Sequence, residues 1–266
     1  MGLTHQEIEL TDAASIDAAL DRVGADTIVN TAAMHNVERC EQDPAAAFAV
    51  NAIGVRHLAH AVARRGATLV HIGTDYIFDG AERRPYVETD LPRPLNAYGA
   101  SKLAGEHFVT ALTPKHFVVR SSGLYGMHPS RAKAGGLNFV GVMLKLARER
   151  GTVRVVTDEI VTPTYTVDLA EQILDLVGTT AYGTYHATSG GACSWNEFAR
   201  EIFRRAAPAT VVEDACAAAF PRPVARPLYS VLDNAALRRL GLDRMPDWRD
   251  ALGRYLEALA NPALAG

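Results

Sequence analysis

Cysteine is scarce: Cys40, Cys193 and Cys216 are widely separated, odd in number, and never spaced as Cys-x-x-Cys. That argues against a disulfide framework and a thiolate zinc site, and favours free thiols in a reducing cytoplasm. An excess of one charge is also lacking. The net charge is −3, from 27 Lys+Arg and 30 Asp+Glu, which leaves no electrostatic footprint for nucleic acid or an anionic membrane. No apolar run approaches the roughly 18 residues of a membrane span. The opening MGLTHQEIEL has neither the basic start nor the apolar stretch of a signal peptide. Neither nucleic acid nor membrane is therefore expected as a partner. Glycine is missing where a nucleotide fold most needs it, since only Gly2 and Gly24 precede Gly54. The 266 residues are otherwise 48% hydrophobic and 21% charged, which suits a globular chain of one domain or a little more.

What is present reads as alternating helix and strand. ASIDAALDRVG is a helix capped by Thr11 or Asp12, and TIVN (27–30) is a short buried strand. An alanine-rich helix follows Asp43-Pro44, with an interruption near Asn51 to Gly54, and then come apolar strands at 68–72 and 116–120. This alternation predicts a doubly wound, Rossmann-like parallel α/β sheet over 1–120. From about 121 the pattern loosens into a smaller α/β lobe over 121–266, some segments of which return to the first domain. Its elements are a Gly- and Ser-rich loop over 121–136, a helix from Asn138, a strand TVRVV, a helix over 166–177, a short strand GTYHAT, and the helix SWNEFAREIFRRA. Ser194 and Glu197 are spaced there as a capping box.

The chemistry concentrates between Thr68 and Lys102. A strand ends near Thr74-Asp75, and a proline-punctuated loop leads to Tyr98-Gly-Ala-Ser-Lys102 at the start of a helix. Residues four apart share a helix face. A phenol with a pKa near 10 is a weak acid at neutral pH, and an adjacent ammonium would lower that value. Tyr98 beside Lys102 thus reads as a general acid, with Thr74 at a strand's carboxyl end as a second donor. Such a pair also arises by chance in many helices, and a strand-end threonine can be a simple cap. His57 and His60 could pair on a metal, but no third ligand is near in sequence, so they read as packed or solvated.

TDYIFDG, PYVETD, LNAYGASKLAGE and VVRSSGLYG, with IVNTAA before them and TPTYTVDLA, GTYHATSGGACSWNEFA and ARPLYSVLDN in the same order, resemble the extended short-chain dehydrogenase/reductases. Within them the chain most resembles the dTDP-4-dehydrorhamnose reductase family. The resemblance implies NAD(P)H-dependent reduction of the 4-keto group of a nucleotide-linked 6-deoxysugar, with dTDP-L-rhamnose as product. Thr74, Tyr98 and Lys102 match the catalytic trio. The resemblance implies that Tyr98 would protonate the carbonyl oxygen, Thr74 would hydrogen-bond it, and Lys102 would hold the nicotinamide ribose. Ala32 and Ala33 follow the TIVN strand where small side chains let backbone approach NADPH or NADH. Asp75 corresponds to a substrate contact and Arg226 to a nucleotide-diphosphate contact. Some members use a divalent ion such as Mg2+ at a subunit contact, and a homodimer is one assembly the family allows, but the sequence picks out no metal ligands.

Tyr76 stands where related dehydratases carry a glutamate, which argues against dehydration. Gly123 stands where the reductases often have a tryptophan. The same fold also occurs in the β subunit of methionine adenosyltransferase, so a non-catalytic binding protein is the alternative. The family's GxxGxxG turn is not found in this sequence. The expectation is either a misassigned start or a shortened chain whose natural form is longer, or a genuine short chain that re-pairs its strands or is a degenerate relative binding dinucleotide poorly. Loss of the turn with two strands is expected to leave TIVN without its neighbour and TLVHI with one unpaired edge.

Overall fold

The computed structural model describes residues 1–129 and 136–261. Asp12 accepts a hydrogen bond from Ala14 N and starts α1 (Ala13–Val23), which buries Ile16, Ala19 and Leu20. After β1 (Thr27–Asn30) come α2 (Val37–Gln42), α3 (Pro44–Phe48), a π-helical turn at Ala49–Gly54, and α4 (Val55–Arg64). The interruption expected near Asn51 is thus a local widening of one continuous helical path. β2 (Thr68–Thr74) runs to Thr74 itself, two residues beyond the expected end. Asn96 caps α5 (Ala97–Leu112) by accepting from Gly99 N, and β3 (His116–Ser121) follows.

The second half contains β4 (Leu124–Tyr125), α6 (Phe139–Glu149), β5 (Thr152–Val156), β6 (Ile160–Val161), β7 (Thr164–Tyr165) and α7 (Thr166–Val177). Then come β8 (Gly183–His186), β9 (Cys193–Ser194), α8 (Trp195–Ala206), β10 (Val211–Ala215), α9 (Ala235–Arg239) and α10 (Trp248–Ala260). The Ser194–Glu197 capping box forms at the start of α8. The loop over 121–136 falls partly outside the described residues.

The central sheet has the order β1-β2-β3-β8, with every pairing parallel. The expected strand loss takes a different form here. β1 lies directly on β2, with Thr27 opposite Thr68 and Asn30 opposite His71, and β2 has a strand on each side. Consecutive parallel strands joined by a helical crossover tend to sit side by side, so TIVN keeps its neighbour. Among the described residues the sheet ends at β1 on one side and at β8 on the other, and on the β1 side Val29 is 47% exposed.

One face of the sheet packs Leu69 and Val118 against Ile16, Leu20, Val55, Leu58 and Val62 of α1 and α4, with Val109 of α5. The other face packs Val70, Phe117 and Val119 against Leu169, Ile173 and Leu176 of α7 and Leu237 of α9. Both faces are therefore covered, which is why these strands read as continuous apolar runs rather than as alternations. A separate core unites α6, α8, α10 and the parallel pair β5–β10 through Tyr125, Val153, Phe198, Ile202, Trp248 and Tyr255. β8, α7 and α9 come from the second half of the sequence yet belong to the first core.

Candidate active site

The carboxyl ends of β1, β2 and β3 gather the residues singled out above. Two glycines let α5 approach this edge. A Cβ on Gly99 would stand 2.2 Å from Tyr76 O, and one on Gly105 would stand 2.2 Å from Asn51 O. Asn51, at the π-helical turn, is fully buried. It accepts from Met34 N (2.8 Å) and donates to Met34 O (2.9 Å) and Ser101 Oγ (3.0 Å). Ser101 Oγ in turn donates to Tyr98 O at 2.9 Å. The segment after β1 is thereby tied to the first turn of α5.

Thr74 Oγ1 donates to Asp75 Oδ1 at 3.2 Å and accepts from Tyr76 N at 3.3 Å. Tyr98 is half-buried, and its ring meets that of Tyr76 edge-on, with centroids 5.6 Å apart. The anticipated acid-strengthening of this phenol is not what the structure shows. Burial drives the Tyr98 pKa upward; a hydrogen bond with Thr74 pulls it down, and Asp75, Tyr76 and Cys40 push it up again. Lys102 is not among these influences, and its Nζ is engaged elsewhere. The Lys102 side chain is 3% exposed, with Nζ 2.6 Å from Ile72 O and 3.3 Å from His71 Nε2. Burial lowers the Lys102 pKa to about 8, with Glu106 acting in the opposite direction.

Asp75 lies beside Thr74. It is 5% exposed, and its carboxylate accepts from Thr74 and from Ser122 Oγ at 2.8 Å, with Ser230 as a further partner. Burial raises its pKa against these hydrogen bonds. The carboxylate thus holds Thr74 from within the protein. Ala32 is exposed and Ala33 half-buried just past β1. Arg226 pairs with Glu38, its Nε is buried without a hydrogen-bond partner, and its charge acts on Tyr76. It belongs to this edge of the molecule and is no isolated surface arginine.

Gly123 adopts φ +58°, and a Cβ there would lie 3.0 Å from Pro163 Cα and from Thr162 O. A tryptophan in this backbone conformation would be strained. Among the described residues no group of three or more His, Cys, Asp or Glu side chains could hold a metal ion, so His57 and His60 gain no third ligand and no Mg2+ site is defined. No described helix is long and apolar enough to cross a membrane. Sequence reasoning did not single out Asn30, Asn51, His71 or Ser101. Their signal lay in polar side chains placed inside otherwise apolar strands and helices.

Comparison with known proteins identifies the family. The family model described as RmlD substrate binding domain matches residues 1–261. A dTDP-4-dehydrorhamnose reductase of Streptomyces griseus is 40% identical over 269 residues, covering 98% of this chain and 86% of that protein. A dTDP-4-keto-6-deoxy-D-glucose reductase of Streptomyces niveus is 40% identical over 264 residues, covering 95% and 86%. The crystal structure of dTDP-4-dehydrorhamnose reductase from Bacillus anthracis in complex with NADP superposes with a TM-score of 0.90 at 38% identity, covering 96% of this chain and 88% of that one. These relatives are named as reductases, which favours the enzyme over the binding-protein alternative. With its parallel sheet and its ordered motifs matched from end to end, the chain belongs to the RmlD substrate-binding-domain family, within the extended short-chain dehydrogenase/reductase fold.

Proposed function

We propose that this chain is an NADPH-dependent reductase of a dTDP-linked 4-keto-6-deoxysugar, converting dTDP-4-dehydro-L-rhamnose to dTDP-L-rhamnose. The observation that carries the reading is the meeting of the Tyr98 phenol with the Thr74 hydroxyl at the carboxyl end of β2, in a chain whose relatives bear reductase names.

The residues present fit the nicotinamide end of the cofactor. Ala32 and Ala33 leave room for its approach beside β1, and Tyr98 and Lys102 supply polar groups from α5. NADPH, when bound, supplies the hydride. Tyr98 gives its phenolic proton to the carbonyl oxygen, so that the ketone becomes an alcohol. The Thr74 hydroxyl donates to Asp75 in this structure, and turned toward Tyr98 it would donate to the phenol oxygen, which favours the phenolate left after proton transfer. For Thr74 to donate to the carbonyl oxygen, that proton must likewise leave Asp75. Lys102 holds the nicotinamide ribose, and Arg226 contacts the nucleotide diphosphate as an always-charged planar donor. NADPH is preferred here over NADH because the Bacillus anthracis relative was solved with NADP. A homodimer and a cytoplasmic location complete the proposal.

The test follows NADPH absorbance with the purified 266-residue chain and dTDP-4-dehydro-L-rhamnose. Tyr98→Phe is expected to lower kcat by roughly 100- to 10,000-fold while leaving NADPH affinity unchanged. Retained turnover in Tyr98→Phe removes the proton-donor role. A folded chain that does not bind NADPH removes the cofactor-dependent reading altogether.

A further inference from the structure

Lys102 sits at one end of a hydrogen-bond chain whose direction can be worked out. Ala32 N–H donates to Asn30 Oδ1 at 3.1 Å, so the other end of that amide is the NH2 group. Asn30 Nδ2 lies 3.1 Å from His71 Nδ1. An amide NH2 can only donate, so His71 Nδ1 must be the bare, accepting nitrogen. Flipping the amide would set an NH2 group against Ala32 N–H and leave two donors facing each other. An imidazolium is excluded on the same count, because its Nδ1–H would face the Asn30 NH2. Burial also holds His71 well below its ordinary pKa. The neutral ring therefore carries its proton on Nε2, and Nε2 lies 3.3 Å from Lys102 Nζ. Only an amine with a free lone pair can accept that N–H; an ammonium offers three donors and no acceptor. The same amine still donates to Ile72 O at 2.6 Å, so every group in the sequence Ala32, Asn30, His71, Lys102, Ile72 is satisfied.

We propose that Asn30 and His71 are positioning residues that bias Lys102 toward the neutral, hydrogen-bond-accepting amine. Asn30 and His71 are opposite one another in the β1–β2 register, and both are buried, at 5% and 0% exposure. The parallel sheet thus delivers the pair to the lysine as one unit. The charged groups that act against this bias are few. Glu106, one turn further along α5, favours the ammonium, but its carboxylate is shared with Arg120 of β3. Protonating Lys102 forces His71 to the other tautomer and turns the Asn30 amide, which frees Ala32 N–H at the edge where backbone approach is required. The proton on Lys102 is thereby coupled to a backbone donor beside β1.

The inference rests on the proposed reductase reading for the purpose of Lys102, but its test does not need catalysis. The chain has four lysines, Lys102, Lys115, Lys133 and Lys145, so nitrogen-15 NMR of the labelled side-chain amines resolves few signals. His71 is expected as the Nε2–H tautomer in the unsubstituted protein, with Lys102 titrating near or below about 8. Asn30→Asp supplies a carboxylate that accepts from both Ala32 N–H and His71 Nδ1–H. That substitution should invert the tautomer, raise the Lys102 pKa by about one unit or more, and carry the basic limb of the pH–rate profile with it. An Nδ1–H tautomer in the unsubstituted protein overturns the proposal without any variant. So does a Lys102 titration that Asn30→Asp leaves unmoved. Absence of turnover alongside the expected tautomers removes the reductase reading alone.

Discussion

Replacing Glu106 with leucine should cost this fold more than any exposed charge change, and the structure shows why. Glu106 Oε2 receives Nε and Nη2 of Arg120, both at 2.9 Å, and the two side chains are 4% and 9% exposed. In Glu106→Leu the guanidinium keeps only long contacts, to Glu88 O at 3.4 Å and to His186 Nε2 at 3.5 Å, and the face of Phe78 at 5.8 Å. An unpaired buried charge of this kind costs about 3–5 kcal/mol, out of a total stability of about 5–15 kcal/mol. At roughly 2–4 °C per kcal/mol for a chain near this size, Tm should fall by roughly 6–20 °C. The double variant Glu106→Leu/Arg120→Leu removes both charges and should recover at least about half of the loss, since apolar replacements of buried pairs are often neutral. Urea and thermal unfolding of the two variants read both quantities. A loss under about 1 kcal/mol in the single variant, or a double variant less stable than the single, would refute the assignment of the loss to a stranded cation.

Gly105→Ala gains about 1 kcal/mol of helix propensity, yet its methyl would enter the space of Asn51 O. Overpacking costs about 1–3 kcal/mol, so net destabilisation is expected, and a more stable variant in urea would show that α5 and the π-helical turn can separate freely. Ser194→Ala should cost about 1 kcal/mol, within the 0.5–2 kcal/mol range of helix caps, because the hydroxyl accepts from Glu197 N at 3.0 Å; an unchanged urea midpoint would count against the cap. His186 is held neutral, with burial foremost and Arg120 next lowering its pKa to about 3 from an ordinary 6.5. The unfolded chain takes up that proton first, so the stability is fully present above about 6.5 and declines as pH falls toward about 3. The slope is about 1.4 kcal/mol per pH unit for one such group. A urea midpoint that stays level between pH 7 and pH 5 would contradict this.

Local pattern alone determined a good deal of this protein. The apolar runs TIVN, TLVHI and HFVVR, separated by helical stretches, specify parallel strands because a sheet covered on both faces has no polar side to alternate with. The Ser194–Glu197 spacing specifies a helix start, and Tyr98 and Lys102 must share a face of α5 because four residues make about one turn. Periodicity cannot say which strand pairs with which, so the β1–β2 contact and the open outer edge of β1 emerged only with the sheet assembled. Nor could spacing say what occupies the Lys102 amine. Helical neighbours suggested that it would acidify Tyr98, whereas packing against β2 hands it to Ile72 and His71. Charge and pKa at this site are properties of burial and of partners distant in the chain, and only tertiary structure decides those.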